Sequence, residues 1–481
     1  MATSLRDPSG SVLVVDERII RIIHAKGLPD LNAFLNSSAS QSFLNANQVV
    51  GTSFLDSGER AHVLENAEAR NVFSQSAGAT IVEHERVPFQ SFPYEWPAEM
   101  LHAAATLTLD MADQLLDEGL GLKDASPYNV LYRGPRPVFI DLLSFEQRDP
   151  HDPTWLPFAQ FVRTFLLPLL VNKYFHIGLD QILTTHRDGI EPEEVTRLCG
   201  PIQKVRPPFL TLATIPARLA ARHSVDDTTI YQPKPLSDPA KARFILQRVL
   251  KSVRRKLAQV APRSGRNSAW SNYTEHNNYT ADYLPVKQAF VEQALAYCRP
   301  KKVLDVGCNT GQFSALAARS GASVVAIDYD PVVVGDLWRR SIAEDLDILP
   351  LVVNLARPTP GTGWRNQECA PFLERAHRNF DGVFMLAVIH HLLVSERIPL
   401  AEIVDLAADL TTDMLVIEYI APGDPMFRRI SRGRDHLFED LNRDVFETTC
   451  RRRFDITRSE QLGDTQRWLY LMEKKGVATD A

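Results

Sequence analysis

The chain has 481 residues, 44% hydrophobic and 23% charged, which exceeds one ordinary core and points to a globular protein of two or more domains. A formal net charge of −6 leaves no overall basic field to recruit nucleic acid. The five cysteines are scattered, without C-x-x-C pairs, which argues against a disulfide framework or a structural zinc site and for a reducing, cytoplasmic setting.

Met1 to Gly10 is polar and lacks the apolar core of a signal peptide. From Ser11 to about Trp96 the β-like runs Ser11–Ile23 and Ala79–Pro88 predict a small mixed sheet. Pro88, Pro93 and Pro97 then break the chain around Tyr94 and Trp96. From Ala98 to Leu120 apolar residues recur at helical spacing (Met100, Ala104, Leu107, Met111, Leu115, Leu116), and Gly119 and Gly121 end the helix.

The next segment carries chemistry. Asp124 and Asn129 stand on a Pro-containing loop, and Asp141 follows the strand Val138 to Ile140. One carboxylate to orient a hydroxyl, with an Asn and an Asp converging on Mg²⁺, is what a phosphoryl-transfer site needs. The alternative is a buried Asp/Asn turn in an unrelated α+β domain. The segment resembles the catalytic loop and metal-binding acid of protein-kinase-like folds, especially their small-molecule kinase branch. That resemblance implies Asp124 as catalytic-loop acid, with Asn129 and Asp141 as metal ligands.

The sequence also departs from that family. Leu122 stands where the family usually has His, and Leu142-Leu143 replace Phe-Gly after Asp141. There is no glycine-rich loop and no phosphate-binding lysine, Lys26 being the only lysine before Lys123. Without that lysine a transferring phosphoryl group loses its main charge stabilisation. Residues 1–260 are therefore expected to be a degenerate kinase-like α+β domain with a helical extension, kept as a scaffold or substrate-binding module.

Trp155 to Phe175 reads as a buried helix. Its apolar part, Phe158 to Val171, is too short and too interrupted by Gln160, Arg163 and Pro168 to span a bilayer, so no membrane insertion is expected. Residues 176–247 read as mainly helical, with breaks at Pro207-Pro208 and Pro233 to Pro239. The basic run Arg248 to Lys256 reads as the solvated face of a helix. A Pro/Gly/Ser/Arg-rich linker follows at 261–269, and a second domain at 270–481.

Tyr273, Tyr279 and Lys287 lie just ahead of or within a helix, Val286 to Tyr297, and are candidate lid residues. Val303 to Val306 reads as a buried parallel strand. Gly307 and Gly311 bracket a turn that lets a ligand approach the backbone, and the helix from Phe313 to Arg319 points its first amides into it. Val324 to Ile327 is a second strand, and Asp328 at its tip can accept hydrogen bonds from both hydroxyls of a ribose. These features fit a dinucleotide or S-adenosylmethionine, but the glycines stand four apart with Asp305 before them, not as G-x-G-x-x-G.

The stretch Asp305 to Gly311 resembles motif I of class I S-adenosylmethionine-dependent methyltransferases. The resemblance implies S-adenosylmethionine as cofactor, bound by Asp305, Gly307, Asn309, Gly311, Asp328, Asn354 and Ala387. Asn354, after the strand Ile348 to Val353, would accept from the adenine amino group. Trp364, on a Pro/Gly-rich loop, is a candidate to stack on adenine or close the cleft. His390 and His391 follow the strand Asp381 to Leu386, where the family places its methyl acceptor, and are acid/base candidates. Glu418, after the strand Met414 to Ile417, is a further catalytic candidate. No third ligand accompanies the two histidines at workable spacing, so no metal is expected. Asp444 to Glu447 reads as the N-cap of the last helix. Phe454 to Thr457 and Trp468 to Met472 read as a closing antiparallel hairpin.

The expected fold is α/β: a C-terminal seven-stranded, doubly wound, Rossmann-like methyltransferase domain preceded by an α+β kinase-like domain. From about Pro93 onward the chain resembles a bacterial two-part, nodulation-protein-like methyltransferase lineage. The expected function is methylation of an oxygen on a saccharide or small-molecule metabolite, without nucleic acid. Two alternatives stay open: a bifunctional kinase/methyltransferase using Mg-ATP, and a non-enzymatic scaffold that senses S-adenosylmethionine.

Overall fold

The computed structural model describes residues 7–221, 235–263, 265 and 283–476. The chain divides into two compact units: residues 1–263 with 362–369, and residues 264–361 with 370–481. Tyr273 and Tyr279 lie outside the described residues, as does most of the expected linker.

The first unit opens with a hairpin of β1 (Gly10–Val15) and β2 (Arg18–Ile23). Asp16 and Glu17 connect them with φ of 48° and 65°. Left-handed backbone at both loop positions matches the twist of the flanking strands, which is why so short a loop closes here. β3 (Thr52–Phe54) and β4 (Thr80–His84) complete a sheet of order β1-β2-β4-β3. Every pairing in it is antiparallel, which corrects the mixed sheet expected from sequence. A two-residue connection permits only an antiparallel pair. Leu13, Val15, Ile20 and Ile22 pack on one side of the hairpin against Val63, Ala69 and Ile81.

The helix Ala98–Leu115 follows, extended by a 3-10 turn to Glu118 and stopped at Gly119, whose φ is 71°. β5 (Leu120–Leu122) pairs antiparallel with β8 (Phe145–Gln147), and β6 (Val130–Arg133) with β7 (Arg136–Phe139). The loops carrying Asp124, Asn129 and Asp141 lie between these short strands.

The long apolar helix begins at Phe158, not Trp155, and runs to Phe175 with a π turn at Val162–Leu166. A second π turn at Leu210–Thr214 leads into the helix Ile215–Ala220. Pro168 and Pro216 each stand two residues past a π turn. A proline withholds one amide and crowds the preceding turn, and a widened turn relieves both. The basic run lies on the helix Pro239–Val260, which buries Ala242, Leu246, Leu250, Val253, Leu257 and Val260 along one face. Arg248, Lys251 and Arg255 point to solvent.

In the second unit, the helix Leu284–Cys298 leads to a seven-stranded sheet. Its strands are β9 (Lys302–Val306), β10 (Ser323–Asp328), β11 (Ile348–Val352), β12 (Phe380–Met385), β13 (Thr411–Ile420), β14 (Phe454–Gln461) and β15 (Arg467–Lys474). Their order is β11-β10-β9-β12-β13-β15-β14. The five strands from β11 to β13 are parallel, and β15 runs antiparallel between β13 and β14. Val303, Val324, Ala326, Ile348, Phe384, Met414 and Val416 form the core with Phe290, Val291 and Ala294 of the leading helix.

The chain winds outward from β9 to β11 and then returns to place β12 beside β9. That reversal opens a crevice at the carboxyl ends of the central strands, where ligands of such sheets bind. The last helix, Arg443–Cys450, is capped by Asn442, whose side chain accepts from the Val445 amide. This corrects Asp444 as the cap. Asn is among the strongest N-cap residues, and Asp444 sits instead in the first helical turn, where its charge suits the dipole.

Candidate active site

The crevice holds a cavity of about 580 Å³, within the usual range of small-molecule sites. Its floor is the turn after β9. The amides of Gly307 and Cys308 both donate to the carbonyl of Ile327 on β10, at 2.8 and 3.1 Å. Gly307, Asn309 and Gly311 adopt φ of 70°, 50° and 77°. At Gly311 a Cβ would also meet Leu337 Cδ1 at 2.1 Å, so both backbone and space demand glycine. Gly311 does not line the cavity; it lets the helix Gln312–Arg319 start where its first amides face the turn.

Asp328 closes β10. Its Oδ2 accepts from the Asn309 amide and its Oδ1 from the Asp330 amide, both at 3.0 Å. The Tyr329 amide also bonds this carboxylate, which keeps lone-pair capacity for a ligand hydroxyl. Burial pushes its carboxyl above the ordinary range, and the amides of Asp330 and Asn309 oppose that. Asp305 is buried inside β9, with Ser314 Oγ donating to its Oδ2 at 2.6 Å. Burial raises it to about 6, against the Ser314 hydrogen bond, with Asp328 adding to the rise.

Asp305, Gly307, Asn309, Asp328, Asn354 and Ala387 all line the cavity. The Asn354 oxygen expected to accept from adenine already takes the Ala356 amide at 3.0 Å, leaving one lone pair and the side-chain amide for a ligand. Ala387, after β12, has φ of 54°. Trp364 is 63% exposed, does not line the cavity and groups with the first unit.

The two histidines divide. His391 lines the cavity, on the helix Ile389–Val394, and burial lowers its pKa. His390 is buried, and neither ring nitrogen has a hydrogen-bond partner among the described residues. Burial first, then the neighbouring His391, Arg467 and Lys287, hold it well below the ordinary range as a neutral ring. The two rings lie 4.2 Å apart.

Glu418 lies within β13, not at its tip, paired with Leu469 of β15. The strand runs on to Ile420 because β15 supplies hydrogen-bond partners to that point. Glu418 is fully buried, and Lys287 Nζ donates to both its oxygens at 2.9 and 2.7 Å. Arg467 Nη1 stands 3.7 Å away and also pairs with Asp424. Lys287, expected as a lid residue, therefore bridges a buried ion network and the cavity wall, while Glu418 does not line the cavity. Sequence reading missed Arg467 and Asp424, which sit at unremarkable spacing far from the glycine turn.

In the first unit, Asp141, Asn129 and Asp124 do come together. Ser144 Oγ donates to Asp141 Oδ2 at 2.6 Å and accepts from Asn129 Nδ2 at 3.1 Å. Asp124 is raised mainly by burial, opposed by hydrogen bonds to Gln160 and Asn129. The residue missed from sequence is Arg21. Its guanidinium is 4% exposed and donates to Asp141 Oδ1 at 2.6 Å and to Asp7. A signal existed: Arg21 is a charge inside the otherwise apolar run Ile19 to Ile23. Despite burial, Arg21 and Ser144 hold Asp141 below the ordinary carboxylate range. Among the described residues no cluster of three or more His, Cys, Asp or Glu is placed to hold a metal ion. None of their helices is long and apolar enough to cross a membrane.

Comparison with known proteins adds family evidence to this geometry. Residues 261–465 match a family described as a methyltransferase domain. The nodulation protein NoeA of Rhizobium meliloti (strain 1021) is 29% identical over 478 residues, covering 98% of this chain and 96% of NoeA. Among solved structures, the N-methyltransferase NodS from Bradyrhizobium japonicum WM9 in complex with S-adenosyl-L-homocysteine matches at 14% identity and a TM-score of 0.32, over 44% of this chain and 94% of that one. The bifunctional kinase-methyltransferase WbdD matches at 18% identity and a TM-score of 0.27, over 41% of this chain and 40% of that one. The family match spans most of the second unit, and the cofactor is S-adenosylmethionine.

Proposed function

We propose that the protein transfers a methyl group to an oxygen of a saccharide or small-molecule metabolite, and that its first unit is a kinase-like fold used as a scaffold. The observation that supports the transferase reading best is one cavity lined both by the glycine turn with Asp328 and by His391. Asp328 and Asp305 hold the cofactor over the glycine turn, and Asn354 and Ala387 flank it. The cofactor supplies an electrophilic sulfonium methyl. The chain's own work is alignment, exclusion of water and removal of one proton. His391 would take the proton of the acceptor hydroxyl as the methyl passes from sulfur to that oxygen, with S-adenosylhomocysteine as the product. A His kept neutral by burial accepts that proton at ordinary pH. His390 and Glu418 shape the wall behind it.

Methyl transfer to a panel of neutral and charged saccharides, followed as S-adenosylhomocysteine release, tests this reading. His391→Gln is expected to lower kcat about 100-fold while leaving cofactor affinity intact. Because burial lowers the His391 pKa, wild-type kcat should stay flat through neutral pH and fall only below the ordinary His range. A His391→Gln variant with wild-type kcat would remove the base from the mechanism.

The scaffold reading rests on Arg21. In a phosphoryl-transfer site the carboxylate after the second short hairpin faces a metal ion; here a buried guanidinium occupies it. Calorimetric titration of the full chain with Mg-ATP is expected to give no binding heat. Saturable heat that disappears in Asp141→Ala would instead establish a nucleotide site there.

A further inference from the structure

The cavity lining includes charged residues that the cofactor reading does not use. With His391 the lining includes Ser395, Glu396, Arg357, Ile430 and Arg432. Arg357 Nη2 and Glu396 Oε1 pair at 2.8 Å and largely cancel. Arg432 has no ion-pair partner among the described residues and is exposed. It ends the helix Pro425–Ser431, which packs against the His391 helix. Arg428 and Arg429, on the same helix, are likewise exposed and make no ion pair among the described residues. Elsewhere in the second unit Arg319, Arg339, Arg340, Arg443, Arg451, Arg453 and Arg458 are paired with carboxylates, whereas Arg299, Arg378, Arg397 and Arg452 make no ion pair among the described residues.

On a chain with net charge −6, an uncompensated guanidinium in the cavity lining, with two more on the same short helix, is a local excess. Their mutual repulsion disfavours the fold slightly, and an anionic ligand relieves it. Guanidinium is also the group best shaped for two-pronged contact with phosphate or carboxylate oxygens. Asp305 and Asp328 suit the ammonium and ribose of the cofactor, and its carboxylate is the one cofactor group that suits a guanidinium; anion binding that persists with S-adenosylhomocysteine present separates an acceptor anion from that carboxylate.

We propose that the methyl acceptor is anionic, carrying a phosphoryl or carboxylate group that Arg432 grips, with Arg428 and Arg429 drawing it to the mouth. This rests on the transferase reading above and narrows its acceptor class. Neutral sugars and simple alcohols are then poor acceptors, and the reaction that supplies the substrate is a phosphorylation or an oxidation to the acid.

The test is calorimetric titration with inorganic pyrophosphate, with glucuronate and with neutral glucose, on full-length protein with and without S-adenosylhomocysteine. Saturable binding of pyrophosphate or glucuronate, but not glucose, is expected, weakening as salt rises. Which anion binds tells a phosphorylated acceptor from a carboxylated one. Arg432→Gln should weaken the anion about tenfold, and Arg428→Gln with Arg429→Gln should reduce its salt dependence. Arg319→Gln, on a paired arginine elsewhere, should do neither. No anion binding, or equal binding in wild type and Arg432→Gln, overturns the proposal. Loss of S-adenosylhomocysteine binding with anion binding intact would instead fault the transferase reading, so the two failures are separable.

Discussion

Asp305 and Asp328 show how burial tunes two acids of one crevice. Asp328 has backbone amides to hold its charge, whereas Asp305 has chiefly the Ser314 hydroxyl, and burial lifts it to about 6. A ligand ammonium placed near Asp305 favours its ionised form and lowers that pKa. Binding of S-adenosylhomocysteine at pH 6 should therefore release a fraction of a proton, and at pH 8, where Asp305 is already ionised, almost none. Calorimetry in two buffers of different ionisation enthalpy reads this directly. Release that is equal at both pH values, or uptake, would place the ammonium elsewhere. The acids themselves were legible in the sequence because their spacing to Gly307 and Gly311 is fixed by the strand–turn–helix unit. Arg21 and the Lys287–Glu418 pair were not, because a buried ion pair joins residues 120 and 131 positions apart. Nothing in local pattern marks such partners.

At the scale of elements, the strand–turn–helix unit from Lys302 to Arg319 depends on one backbone conformation. Gly311 takes φ of 77° with Leu337, itself fully buried, directly over the missing side chain. Gly311→Ala must accept both left-handed backbone, at about 1–2 kcal/mol, and a displaced core leucine, at about 1–3 kcal/mol. Urea unfolding should register a loss of about 2–5 kcal/mol with weakened cofactor binding; an unchanged midpoint would mean the turn tolerates a side chain. Parallel strands buried on both faces read as apolar runs, so the five parallel strands of the second unit were visible in sequence, as was its closing hairpin, with ends shifted by a few residues. β13 is longer than its apolar run because β15 pairs along it past Glu418. The antiparallel first sheet was harder to read, since its strands are short and its pairing is set by intervening helices. The π turns before Pro168 and Pro216 carry no periodicity of their own and were invisible.

For the whole molecule, the central claim is that the second unit binds S-adenosylmethionine across the reversal between β9 and β12. The grouping of residues 362–369 with the first unit is a product of tertiary contact, which composition does not encode. The most direct measurement is calorimetric titration of the full-length protein with S-adenosylhomocysteine, alongside Asp328→Ala. A dissociation constant in the micromolar range, about −8 kcal/mol, falling at least tenfold in a variant that keeps the wild-type unfolding midpoint, is the result predicted. Absence of binding in the wild type, or equal affinity in folded Asp328→Ala, would contradict the claim.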